Sequence, residues 1–166
     1  MIKLIQKKVF NLIKKYRMRY VKRLLDSKSK TLLDIGCQDL FLYHQINKKY
    51  QITLADIEPK NKLIKKEDVL NLSFKDKSFD IVLCQEVLEH VSNPVQAISE
   101  LKRVATKQLI ITLPYEPFFT LFRFLFWDKL HLWAITPKLL KIHLGKPNFE
   151  AKFFFKRYYI GIWKIE

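Results

Sequence analysis

Cysteine is nearly absent from this 166-residue chain, which holds only Cys37 and Cys84. So distant a pair gives neither the close spacing of a metal knot nor a disulfide framework, and it suits a reducing compartment. Apolar runs are short as well. None approaches the roughly 20 residues a membrane span requires, and the start lacks the small-residue cleavage site of a signal peptide. The expectation is a cytoplasmic protein, soluble or resting peripherally on a membrane. Acids are the third shortage: 16 Asp and Glu face 31 Lys and Arg, for a net charge of +15. That surplus favours anionic partners, nucleic acid or acidic lipid headgroups, without choosing between them. Repeats and low-complexity linkers are also missing. With 49% hydrophobic residues, one compact domain accounts for the length.

What is present divides at about residue 30. From Ile2 to Leu25 the apolar residues Ile2, Ile5, Val9, Leu12, Ile13, Tyr16, Tyr20 and Leu24 recur at helical spacing, with Lys and Arg on the other face. Residues 1–30 hold eleven Lys or Arg against the single acid Asp26, so +10 of the +15 lies here. The pattern predicts a basic amphipathic helix over 1–29, in one piece or two, leading a domain over 30–166. Strand-like and helical patterns then alternate: 31–35 with 40–49, 51–56 with a helical turn near Asn61, 79–84 with 94–104, and a fourth apolar run at 109–113. Pro94 behind Ser92 and Asn93 marks a helix start. Parallel partner strands require crossovers of this length, so the alternation predicts an α/β fold with a mostly parallel, doubly wound sheet between helical layers, a three-layer sandwich. A short helix over 138–143 and two β-rich runs, 149–155 and 158–165, close the chain as an expected antiparallel pair at the sheet edge.

The strand Leu32-Leu33-Asp34-Ile35-Gly36 turns straight into a helix, an arrangement that sets a ligand against backbone amides at the carboxyl ends of parallel strands. Asp56, about 20 residues on, stands where a carboxylate can grip the two hydroxyls of a ribose, or merely cap the turn after it. The run Leu32-Leu33-Asp34-Ile35-Gly36-Cys37 resembles the first motif of the class I, Rossmann-like methyltransferases. Residues 67–83, including Glu67-Asp68-Val69-Leu70, look like that family's adenine-binding loop and fourth strand. Glu86-Val87-Leu88-Glu89-His90-Val91 matches its most characteristic hexad, and His131 with Thr136-Pro137 is similar to the segment before its last helix.

The resemblance implies S-adenosylmethionine as cofactor and a small molecule as acceptor. Asp34 and Gly36, with Cys37 and Gln38, would flank the methionine end. Asp56 would bind the ribose hydroxyls with Ile57 beside it, Asp68 and the Val69 amide would meet the adenine, and Gln85 would lie alongside at the end of the fourth strand. The chain departs from the family where two further glycines are usual, at Gln38 and Leu40. A chain that kept the fold and lost catalysis, acting as a partner or scaffold, is the alternative this leaves. No metal is implied. Methyl transfer from a sulfonium rests chiefly on positioning; for a hydroxyl acceptor the candidate bases are His90 and His131, since imidazole titrates near neutral pH, although either histidine serves equally as structural support. Cys37 and Cys84 are read as small buried hydrophobes.

Eight aromatics fall between Tyr115 and Trp133, where the family inserts its acceptor-binding region. Residues 115–135 are therefore the expected acceptor site or lid, suited to an apolar or lipid-like molecule or packed on the core. With the basic helix, this suggests work at an anionic membrane surface through residues 1–30. Nucleic acid is the competing partner, and methylation of nucleic acid the competing activity; the long aliphatics and few stacking aromatics of the helix favour the membrane.

Overall fold

The computed structural model describes residues 2–37, 39–115, 132, 135–153 and 158–165, with side chains from residue 12 onward. The elements are α1 (Ile2–Leu24), β1 (Thr31–Ile35), α2 (Phe41–Ile46), β2 (Gln51–Asp56), β3 (Ile64–Lys66), β4 (Phe79–Gln85), a 3₁₀ turn (Leu88–His90), α3 (Pro94–Val104), β5 (Ala105–Pro114), α4 (Pro137–Leu144), β6 (Phe149–Phe153) and β7 (Tyr158–Lys164). One seven-stranded sheet runs in the order β3-β2-β1-β4-β5-β7-β6. The first five strands in that order are parallel; β7 lies antiparallel to β5 and to β6. The predicted parallel sheet with an antiparallel edge pair is thus the observed one.

The reasons are local. β1, β4 and β5 are apolar on both faces, because central parallel strands are covered on both sides. α3 begins where Asn93 accepts the Gln96 amide at 3.1 Å and Pro94 fills the first turn. Its buried residues Ala97, Ile98, Leu101 and Val104 face the same layer as Leu33, Val82 and Ile111. α4 packs beside α3 on this face. On the other face, α1 and α2 cover Leu32, Ile81, Leu83 and Ile160.

Some boundaries differ from expectation. α1 is one continuous helix of 23 residues. The stretch 105–108, between the helical pattern over 94–104 and the apolar run at 109–113, is itself strand, so α3 passes directly into β5. Near Asn61 the chain makes an Asx turn, with the Leu63 amide donating to Asn61 Oδ1 at 2.9 Å, and then the short edge strand β3, which carries too few residues to show a period.

The inner face of α1 is not the one that its apolar spacing marks. Ile13, Arg17, Met18, Val21 and Leu25 are buried, while Leu12 is 64% and Tyr16 51% exposed. Four buried apolar side chains, each contributing about 1.5–3 kcal/mol, suffice to dock the helix despite its charge. Gln108 of β5 fixes its end, accepting from the Asp26 amide at 3.0 Å and donating to the Leu24 carbonyl at 2.9 Å.

Candidate active site at the carboxyl edge of the sheet

Strand order reverses between β1 and β4, and the crevice at the carboxyl ends of such strands is where ligands settle in open α/β sheets. Gly36 leaves β1 with φ +77°, and a Cβ there would run into Val87 Cγ2. Only glycine satisfies both the turn and this close approach. The Gly36 and Cys37 amides both donate to the Ala55 carbonyl, at 2.8 and 3.3 Å, which ties the turn to β2. Cys37 is buried, its thiol pushed up to about 12 by desolvation and the nearby Asp34; Cys84, fully buried, has its thiol raised as well, chiefly by desolvation. Both thiols are inert packing groups.

Asp34 is 4% exposed. Burial raises its carboxyl from 3.8 to about 7, outweighing the attraction of Arg17 and Lys14. Those cations come from α1, which lies across this end of the sheet. Lys14 Nζ meets Asp39 Oδ2 at 2.5 Å, and Arg17 Nη1 stands 3.4 Å from Glu86 Oε2. Gln85, 6% exposed, places Nε2 at 3.4 Å from Met18 Sδ, while its Oε1 is buried with no partner. Arg17 Nε is likewise buried and unpartnered. The next residue, Glu86, takes φ +55°, a conformation held by Thr112, whose carbonyl accepts the Glu86 amide and whose hydroxyl donates to Oε1 at 2.9 Å.

Asp56 and Asp68 close the other side. Asp56 Oδ1 accepts the Glu58 amide at 2.9 Å and Asp68 Oδ1 the Leu70 amide at 2.9 Å, so each carboxylate commits one oxygen to its own turn. Ile57 is 57% exposed beside Asp56, and Val69 is buried. Arg103 of α3 orders the loop after Val69: its guanidinium donates to the Leu72 and Phe74 carbonyls at 3.0 and 2.8 Å while paired with Asp76 and Glu100.

The fold therefore brings Asp34, Gly36, Cys37, Asp56, Ile57, Asp68, Val69 and Gln85 to one edge. His90 lies on the 3₁₀ turn after β4, its Nε2 4.0 Å from the buried Glu89 Oε1. Gln38, His131 and the aromatic residues 116–131 lie outside the described residues. Sequence reasoning missed Arg17, Met18 and Arg103; a cation on the inward face of a docked helix reads as one more surface charge. Among the described residues no group of His, Cys, Asp or Glu is placed to hold a metal.

The family model of the methyltransferase domain matches residues 33–111, which contain all of these strand ends. Over these residues the chain is similar to the methyltransferase domain. A protein of Methanocaldococcus jannaschii is 33% identical over 91 residues, 51% of this chain and 40% of that protein, so the chain spans well under half of this curated relative. Among solved structures, the N-methyltransferase NodS from Bradyrhizobium japonicum, in complex with S-adenosyl-L-homocysteine, is similar in fold, with TM-score 0.69 at 16% identity, over 91% of this chain and 86% of that one. A methyltransferase from Aquifex aeolicus matches with TM-score 0.63 at 16% identity, over 90% and 89%.

Proposed function

We propose that the domain binds S-adenosylmethionine across the carboxyl ends of β1, β2 and β4 and transfers its methyl group to a small acceptor of apolar or lipid-like character. The residues fit such a group. Asp34 and the unpartnered Gln85 Oε1 are buried acceptors suited to the cationic methionine end, and Arg17 Nε is a buried donor suited to a carboxylate. Gly36, Cys37 and Gln38 would border that end. Asp56 would hold the ribose, Ile57 and Val69 would give the base apolar cover, and Asp68 would accept from its amino group. When bound, the cofactor supplies an activated methyl group, so the work of the chain is positioning and exclusion of water. For a hydroxyl acceptor, His90 or His131 would take the proton; an amine needs no such base.

The observation that carries the reading is the meeting of the strand-end acids with two unpartnered buried polar atoms on one edge. Calorimetric titration with S-adenosylmethionine and S-adenosylhomocysteine tests it. Micromolar binding that Asp56→Ala abolishes is the expected result; no binding of either ligand favours the alternative of a partner or scaffold protein, to which side chains at Gln38 and Leu40 and the α1 side chains over Gln85 also point.

Residues 1–29 would serve as the surface-seeking segment and 30–166 as the catalytic domain, with 115–135 as acceptor site or lid. Lys15, Arg19, Lys22 and Arg23 are exposed together with Leu12 and Tyr16, a face suited to an anionic membrane from the cytoplasmic side. Sedimentation with anionic vesicles at low salt is the expected result. Steeply salt-dependent binding to RNA or DNA in its place would turn the reading toward a nucleic-acid methyltransferase.

A further inference from the structure

A second cavity lies on the same rim, away from the strand ends described above. It measures about 530 Å³ and is lined by Tyr115, Lys138, Lys141, Glu150, Lys152 and Tyr159 at the N-terminal end of α4. Among the described residues of the lining, three lysines against one glutamate give +2. Glu150 is already engaged: Lys141 Nζ meets Oε1 at 2.8 Å and the Tyr159 hydroxyl donates to Oε2 at 3.0 Å. Lys152 Nζ donates to the Tyr115 hydroxyl at 2.7 Å, which leaves the phenolic hydrogen to be offered onward. The positive end of the α4 dipole adds to the same field.

The cavity is close to the proposed cofactor. Gln85 pairs with Thr112 on the adjacent strand, and three residues later β5 has led to Tyr115 in the cavity wall; three residues of extended chain span about 10 Å. That is the reach of a small molecule whose reacting atom lies at Gln85 and whose far end lies among the lysines.

We propose that this cavity binds a phosphate group of the methyl acceptor, with Lys138, Lys152 and the Tyr115 hydroxyl as its direct donors. The inference rests on the methyltransferase reading for the word acceptor, and on the cavity alone for the phosphate. Lysine is a compact point charge that suits a phosphate dianion, and the +2 of the described lining residues matches that charge.

The test is calorimetric titration of the full chain with octyl phosphate, octanol and inorganic phosphate. It compares the unaltered protein, the double variant Lys138→Gln with Lys152→Gln, and a control double variant, Lys48→Gln with Lys49→Gln, that removes two exposed charges elsewhere. All four lysines are exposed, so folding is not at stake. The expected result is octyl phosphate binding weakened at least tenfold in the cavity variant and unchanged in the control, with octanol bound poorly by all. Inorganic phosphate bound with the same sensitivity marks a water-soluble phosphorylated acceptor; a requirement for the octyl chain marks a lipid-like one. Equal loss in the two variants, or octanol bound as tightly as octyl phosphate, overturns the proposal. S-adenosylhomocysteine titrated in parallel separates the two readings: if it fails to bind while octyl phosphate retains its dependence on Lys138 and Lys152, methyl transfer fails and the phosphate site stands.

Discussion

Replacing Asp34 by asparagine is expected to stabilise the protein and to remove its cofactor affinity. Asp34 is buried, and its carboxyl is raised from 3.8 to about 7 by desolvation that Arg17 and Lys14 only partly offset. A folded-state pKa above the unfolded one means that the native state binds the proton more tightly. Stability from this group is therefore present below pH 3.8 and is lost as pH rises through about 7. The difference between 3.8 and about 7 corresponds to about 4 kcal/mol. Asparagine keeps the shape and removes the charge, but Arg17 then loses an attractive neighbour, so a net gain of about 2–4 kcal/mol at pH 8 is expected, with little difference at pH 4. For a chain of this size that is a rise in Tm of about 6–12 °C. Melting curves followed by circular dichroism at both pH values, for both proteins, supply the test. Asp34→Asn that melts lower than the parent at pH 8, or that gains equally at pH 4, refutes the reasoning. The same variant should bind S-adenosylmethionine at least tenfold more weakly, because a buried carboxylate retained at a cost of several kcal/mol is expected to face a cation.

Gly36→Ala meets both a positive φ and Val87 and is expected to cost at least about 2 kcal/mol, whereas Gly145→Ala, with the same φ of +77° and nothing within 4 Å of the new Cβ, should cost about 1 kcal/mol; urea midpoints compare them. Asp80 accepts the Lys30 and Thr31 amides at 2.7 and 3.2 Å and meets Lys107, and these hold its carboxyl down at about 2. Its stabilisation is present above pH 3.8 and lost as pH falls through about 2, so Asp80→Asn should be less stable by about 2 kcal/mol at pH 7, the gap closing between pH 4 and 2 in acid titrations. Neither Cys37 nor Cys84 should react with a thiol-labelling disulfide at pH 8 until urea unfolds the chain, since both are buried with raised thiols.

Much of this architecture was legible because the central strands are continuous apolar runs and α3 carries its own cap and proline. Gly36 was legible for the same kind of reason, as a turn directly after a strand. The start of β5 was not, because Thr106, Lys107 and Gln108 read as a polar turn; yet Gln108 has its side chain inward, clamping the end of α1. Arg17 was hidden by its type. Its burial follows from the rotation of α1 about its axis, which is set by the packing of Met18, Val21 and Leu25 on the sheet and not by any local pattern. Asp56 and Asp68 were named for a ligand and also cap their own turns, so the two readings of each share one side chain.

The central claim is that the strand ends at Gly36, Asp56, Val69 and Gln85 form one binding site. Backbone amide shifts in ¹H–¹⁵N spectra on addition of S-adenosylhomocysteine test it most directly. The account predicts saturable shifts centred on these four residues and on Arg17 and Met18 of α1; saturation with no shift at these positions, or no shift anywhere, would contradict it.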